Sequence, residues 1–263
     1  MKIFPKKSLG HNFLVDQNII NKIIELGEIK KNDIILEVGP GNGELTKDIL
    51  KKNPKKIYLV EKDLNLYKNL KDNFRKNVEI FNNDILNFEE NNLSKEKLIV
   101  FGNLPYNIST QILVKWIINF NKEPWYKKLV LMFQKDVAER ILAKKNSKEY
   151  GRLSIISNWK LDVYKNFDVS KNCFFPKPKV ESTVLTFLPK KGYTKFKDSR
   201  NLELVTRIFF SQKRKMINKP VKKLFKLNEK IFSKLKIDQR LRPGNLDHKM
   251  YYKITSEYEK LTT

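Results

Sequence analysis

The chain has 263 residues, enough for one large domain or a large and a small one, and its 40% hydrophobic and 32% charged residues describe a globular chain, not a disordered one. Lys+Arg number 54 against 29 Asp+Glu; the resulting +25 predicts attraction to a polyanion, with nucleic acid favoured over a membrane because no basic amphipathic helix with a clean apolar face stands out. One cysteine, Cys173, and two histidines, His11 and His248, exclude an intramolecular disulfide and a typical zinc site, and no apolar run approaches the roughly 18 residues of a membrane span. The basic start Met1–Lys7 lacks the apolar core of a secretory signal, so a reducing, cytoplasmic setting is expected. The abundance of lysine and asparagine also fits a genome-wide bias, which adds charge without function.

In chain order, residues 6–14 mix basic, glycine and aromatic side chains and read as an ordered arm. Asp16 caps a helix whose apolar residues are Ile19, Ile20, Ile23, Ile24 and Leu26, ended by Gly27. A strand over 34–38 runs into Gly39-Pro40-Gly41-Asn42-Gly43 and then a helix over 44–50. Glycines there allow a tight turn and a close backbone approach to a ligand. A second strand ends at Glu61, about 20 residues past the glycine loop, where a carboxylate meets ribose hydroxyls. A helix over 64–74 and a third strand over 78–81 bring Asp84 to the same edge. The apolar run 98–101 predicts a fourth strand, leading into Gly102-Asn103-Leu104-Pro105-Tyr106-Asn107-Ile108-Ser109 and a helix capped by Ser109. A fifth strand covers 129–133 and a helix 137–142.

Strand, helix, strand, helix predicts an α/β fold with a mostly parallel sheet covered on both faces. Beyond Tyr150 one more helix, two β-rich stretches at 161–164 and 182–187 able to pair antiparallel, and the stiff loop Phe174–Val180 complete it. Residues 189–192 read as a linker, and helical spacing dominates from 196 onward. The expected division is a catalytic domain over 1–189 and a small all-helical domain over 196–263.

Two ligands suit a crevice of this kind, a nicotinamide dinucleotide and S-adenosylmethionine. A dinucleotide wants G-x-G-x-x-G with pyrophosphate at the helix start. Here the spacing is G-x-G-x-G, with Glu37 ahead and Glu44 opening the helix. Carboxylates there disfavour pyrophosphate and suit an ammonium and a sulfonium, so S-adenosylmethionine is preferred. Asn103, the carbonyls beside Pro105 and the Tyr106 ring suit an exocyclic amine and the ring that carries it.

With these motifs together, the chain resembles the small-subunit ribosomal RNA adenine dimethyltransferases. The resemblance covers most of the chain: Gly10-His11-Asn12-Phe13-Leu14 (with His11 where the family usually has Gln), Glu37 to Gly41, Gly102 to Ser109, Tyr150-Gly151-Arg152-Leu153-Ser154, Phe174 to Val180, and Phe210-Ser211-Gln212-Lys213-Arg214-Lys215. It implies a Rossmann-like S-adenosylmethionine-dependent methyltransferase domain followed by a helical RNA-binding domain. By resemblance, Asn12 and Leu14 belong to the arm that closes over the cofactor, and Gly39 passes beneath its methionine part. Glu61 takes the ribose, Asp84 the cofactor adenine amine, and Asn103 both the cofactor pocket and the target amine. The Leu104 carbonyl is a second amine acceptor beside Pro105, Tyr106 stacks on the target adenine, and Phe174 is a second aromatic against it. No metal is implied. Each residue also has a plain structural use, in a turn, a cap or the core.

The implied reaction is dimethylation of two adjacent adenosines near the 3′ end of 16S RNA, on a pre-30S particle, by a monomer that needs no membrane. Its rivals are a large-subunit RNA adenine methyltransferase and a non-catalytic nucleic-acid-binding assembly or transcription factor on the same fold. Lys213-Arg214-Lys215 is either a phosphate-binding segment or a solvated face.

Overall fold

The structure, a computed structural model, describes residues 12–120, 123–226 and 230–261. Residues 6–11 of the expected arm, including Gly10 and His11, lie outside the described residues. The chain divides into two compact units, one within Met1–Lys115, Lys122–Ala138 and Asp162–Pro189, the other within Trp116–Asn121, Glu139–Leu161 and Lys190–Thr263.

The first unit is built on a seven-stranded sheet. Its strands are β2 (Ile34–Val38), β3 (Lys56–Glu61), β4 (Val78–Asn82), β5 (Leu98–Asn103), β6 (Tyr126–Gln134), β7 (Leu161–Val169) and β9 (Ser182–Pro189), in the order β4-β3-β2-β5-β6-β9-β7. Neighbours from β4 to β6 run parallel, and β9 returns antiparallel to β6, with Gln134 opposite Ser182. All five residues of β2 are buried, as are the first five of β5. That is the continuous apolar reading of a strand covered on both faces. Helices α1 (Gln17–Gly27), α2 (Glu44–Lys51) and α3 (Leu64–Asn73) and the starts of α4 (Ser109–Asn119) and α5 (Lys135–Leu142) belong to this unit. The order reverses at β2, since β3 follows it on one side and β5 on the other. Chain connections leave in opposite directions there, which opens a crevice beyond the carboxyl ends of these strands.

A two-stranded sheet joins β1 (Phe13–Leu14) to β8 (Phe174–Phe175), with Leu14 opposite Phe174 and Phe13 opposite Phe175. The described end of the arm is therefore tied to the aromatic loop by backbone pairing.

Two expected helix boundaries shift, each for a local reason. Gly27 is the last helical residue of α1, and Glu28 takes the left-handed cap at φ 51. Gly27 answers to space instead: a Cβ there would lie 2.4 Å from Cζ of Phe101. Ser109 is the first residue of α4, not its cap, and its hydroxyl donates to the Tyr106 carbonyl at 3.3 Å. Short 3-10 turns at Ile85–Asn87 and Glu90–Asn92 fill the β4–β5 connection, where the sequence shows no periodicity.

The second unit is helical, with α6 (Arg152–Lys160), α7 (Arg200–Phe210), α8 (Asn218–Leu224), α9 (Lys230–Leu235) and α10 (His248–Glu259). It thus takes in α6, which precedes the linker in sequence. Its core is aromatic: the Phe209 ring lies 5.4 Å from Tyr251 and Tyr150 lies 5.4 Å from His248. Lys160 is buried in the same unit, donating to the Phe120 carbonyl at 2.7 Å with its ammonium 4.1 Å from the Trp159 ring. The expected class, a mostly parallel α/β sheet with a helical C-terminal part, is the class observed.

Candidate active site

The crevice holds a cavity of about 220 Å³. Glycine conformation shapes its floor. Gly39 and Gly41 sit at φ 65 and φ 59, a region in which side-chain-bearing residues are strained. A Cβ on Gly41 would also lie 2.7 Å from the Phe13 ring, so the arm closes directly on the bare backbone of the loop. The Gly39 N–H donates to the Val60 carbonyl at 3.0 Å, which fixes the loop to the end of β3.

Carboxylates from successive strand ends face this space. Glu61 Oε1 accepts from the Asp63 N–H at 2.8 Å, and Oε2 from the Gly41 N–H at 3.3 Å. Burial pushes the Glu61 carboxyl up to about 7; the backbone N–H groups of Asp63 and Gly41 oppose that rise. Burial also raises Glu37 to about 7, against the Thr46 hydroxyl that donates to it at 2.6 Å and with help from the Glu61 charge. Asp84 accepts from the Leu86 N–H at 3.0 Å and from Lys62 Nζ at 2.8 Å. Partial burial favours its neutral form, but the Lys62 bond, the Leu86 N–H and the charges of Lys62 and Lys115 outweigh this and hold the carboxyl below its usual range. Among the described residues that line the cavity, Lys62 is the lone cation against Glu37, Glu44, Glu61 and Asp84. This set of acceptors disfavours a pyrophosphate and fits a nucleoside that brings hydroxyl, amine and cationic groups.

The loop after β5 supplies the amide. Asn103 Nδ2 donates to the Asn12 carbonyl at 2.8 Å, which ties the arm to the loop and engages the donor end of the amide, whose Oδ1 is an acceptor. The Leu104 side chain is buried against Gly102, where a Cβ would meet it at 2.6 Å. The Pro105 carbonyl accepts from the Ile108 N–H at 3.1 Å and the Tyr106 carbonyl from Ser109. The Tyr106 hydroxyl shares a 2.6 Å hydrogen bond with Ser182 Oγ at the start of β9. Burial raises the phenol, and Ser182 opposes that rise.

The structure brings Asn12, Leu14, Gly39, Glu61, Asp84, Asn103 and Pro105 together as lining of one cavity. Leu104, Tyr106 and Phe174 do not line it. Phe174 is 4% exposed and packs in the core cluster with Leu14 and Val184, whereas its neighbour Phe175 is 63% exposed. Sequence reasoning missed Ser182, Thr46 and Lys62. Each acts through a partner 9 to 76 residues away, and no spacing rule connects such pairs.

The mostly parallel sheet with this crevice is Rossmann-like, and the comparisons place it in the methyltransferase class. The family model described as ribosomal RNA adenine dimethylase matches residues 4–260. The chain is 50% identical over 261 residues to ribosomal RNA small subunit methyltransferase A of Pelagibacter ubique, covering 99% of each chain. It is 38% identical to the protein of that name from Malacoplasma penetrans, over 99% of this chain and 94% of the other. Among solved structures it resembles a dimethyladenosine transferase from Plasmodium falciparum, with a TM-score of 0.79 and 28% identity over 94% of this chain and 98% of that one. It shares its fold with the 23S rRNA methyltransferase ErmE, with a TM-score of 0.68 and 21% identity over 95% of this chain and 100% of that one. The chain belongs to the ribosomal RNA adenine dimethylase family, and it is a methyltransferase.

Proposed function

We propose that this enzyme moves methyl groups from S-adenosylmethionine to the exocyclic amines of two adjacent adenosines near the 3′ end of small-subunit ribosomal RNA, acting as a monomer on a pre-30S particle in the cytoplasm. The family, the relatives named for the small subunit and the +25 charge support the RNA substrate. Among the described residues no helix is long and apolar enough to cross a membrane. The observation that carries the reading is the convergence of Glu61, Asp84 and Asn103 on one cavity beside the glycine loop.

In this reading Glu61 accepts hydrogen bonds from the ribose hydroxyls and Asp84 from the adenine amine of the cofactor. Each carboxylate oxygen still has a lone pair for this after its internal bond. Gly39 lets the backbone run beneath the methionine part, and Asn12 and Leu14 close over it. S-adenosylmethionine supplies a methyl group on a sulfonium, whose charge is lost on transfer.

The target amine is a poor nucleophile because its lone pair is delocalised into the ring. Asn103 Oδ1 and the Leu104 carbonyl accept hydrogen bonds from its two N–H groups, which favours a pyramidal nitrogen with its lone pair aimed along the line of displacement. The Pro105 and Tyr106 carbonyls are engaged within the turn, so they hold the loop in shape. Tyr106 supplies a ring face held by Ser182. Catalysis is then chiefly positioning. Asn103 is too weak a base to remove a proton, which leaves to water after transfer. Phe174 contributes an aromatic wall behind the arm, through its pairing with Leu14.

Calorimetry tests the cofactor assignment. We expect S-adenosylmethionine to bind, and Glu61→Ala to weaken it by on the order of 1.5–3 kcal/mol, since a charged acceptor is lost. Binding of a nicotinamide dinucleotide in its place would refute the assignment.

A further inference from the structure

Lys115 lies on α4, nearly two turns past the Asn103–Ser109 loop, and no part of the reaction described above uses it. Its side chain is 15% exposed, deeply buried for a lysine. The ammonium donates to the Ile85 carbonyl at 2.7 Å, to the Phe88 carbonyl, and to Glu90 Oε1 at 2.9 Å. Glu90 is itself 4% exposed. Ile85 and Glu90 sit on the two 3-10 turns between β4 and β5 and Phe88 caps the first of them, a stretch without strand or α-helix hydrogen bonds of its own. A lysine has three N–H donors, and all three are directed at this segment.

The segment matters because it begins at Asp84. Asp84, Ile85 and Leu86 line the cavity, and the Asp84 carboxylate caps the first of the two turns through the Leu86 N–H. Moving Ile85 by even half an ångström moves Asp84 with it. An acceptor for a ring amine depends on such placement.

We infer that Lys115 is a positioning residue that holds the Asp84–Leu86 turn in the geometry that selects an adenine at the far end of the cavity. It acts from beneath the turn, on carbonyls and a buried carboxylate, and touches no ligand. The amine-binding loop leads directly into α4 and Lys115 lies midway along it, so one helix connects both ends of the site. This inference rests on the placement of the cofactor adenine at Asp84.

The test compares S-adenosylhomocysteine with S-inosylhomocysteine, in which an oxygen replaces the ring amine, by calorimetry on the full chain. The wild type is expected to prefer the adenine compound by roughly tenfold or more, because hypoxanthine offers no amine proton and presents an oxygen to the carboxylate. A wild type without that preference removes the adenine from Asp84, and the cofactor placement fails before Lys115 is at issue. With the preference established, Lys115→Met is expected to reduce it to about twofold while weakening S-adenosylhomocysteine by roughly tenfold, the loss typical of a charged hydrogen-bonding group. KM for the RNA should stay as in the wild type. Lys115→Met removes the ion pair from buried Glu90, so Lys115→Met/Glu90→Gln, which also removes the buried charge, is made beside it and is read in the same way. A folded variant of either kind that keeps the wild-type preference overturns the proposal, even if its melting temperature has dropped.

Discussion

At the scale of single residues, the site is governed by hydrogen bonds that hold groups ready. Tyr106 shows this best: its ring offers a stacking face and its hydroxyl is bound to a buried serine. Stacking is worth roughly 1–3 kcal/mol per base, so Tyr106→Ala should slow single-turnover methylation about ten- to a hundredfold with little change in RNA affinity. Tyr106→Phe and Ser182→Ala should each cost about three- to tenfold, the worth of one hydrogen bond. The double variant should be no slower than either; additive losses would show that the hydroxyl pair does not orient the ring.

The raised carboxyls give a second prediction at this scale. Glu61 is neutral well below pH 7 and ionised well above it. An ionised carboxylate is the better acceptor for ribose hydroxyls, so cofactor binding releases a proton and tightens as the pH rises from about 6 to about 8. Glu61→Gln should flatten that dependence, which calorimetry in buffers of different ionisation heat can read. Without a ligand the sign runs the other way. The folded pKa values of Glu37 and Glu61 lie above the ordinary 4.5, so the unfolded chain gives up these protons first and stability falls as the pH rises from 4.5 through about 7.

At the scale of elements, the parallel strands and their helices were legible because each carries its own pattern: continuous apolar runs for β2 and β5, and a 3.6-residue period for α1. The glycine loop, Glu61, Asp84 and Asn103 were legible because a strand end fixes where its next residue points. What stayed hidden depends on contacts across the chain. Nothing local marks β1 and β8, each two residues long, as partners 160 residues apart, or says that Phe174 is the buried member of its pair and Phe175 the exposed one. Phe174→Ala should lower stability by about 3–5 kcal/mol in denaturant unfolding, as expected for a core ring. Phe174→Leu keeps most of the volume and should be well tolerated in stability. If it nonetheless slows methylation tenfold or more, the ring serves the target as well as the core; unchanged turnover would leave it a packing residue.

At the scale of the whole molecule, the charge of +25 suits a large RNA, and the second unit carries a basic segment of mixed use. Lys213 donates to the carbonyls of Lys148 and Tyr150 and so braces the turn before α6, while Arg214 and Lys215 are exposed. Neutralising Arg214 and Lys215 together should reduce the slope of log affinity against log salt by about 1.4–1.8, as for two phosphate contacts. Lys213→Ala should leave that slope nearly unchanged and lower the melting temperature instead. An equal effect on the slope from Lys213 would place all three on the RNA.

The central claim is tested most directly by incubating the enzyme with methyl-labelled S-adenosylmethionine and either unmethylated small subunits or large subunits, then digesting the RNA and identifying the labelled nucleosides and their positions. The account predicts N6,N6-dimethyladenosine at two adjacent positions near the 3′ end of the small-subunit RNA, no label in the large subunit, and loss of the product with Asn103→Ala. Label confined to large-subunit RNA, or a folded enzyme that binds the cofactor and labels neither, would contradict it.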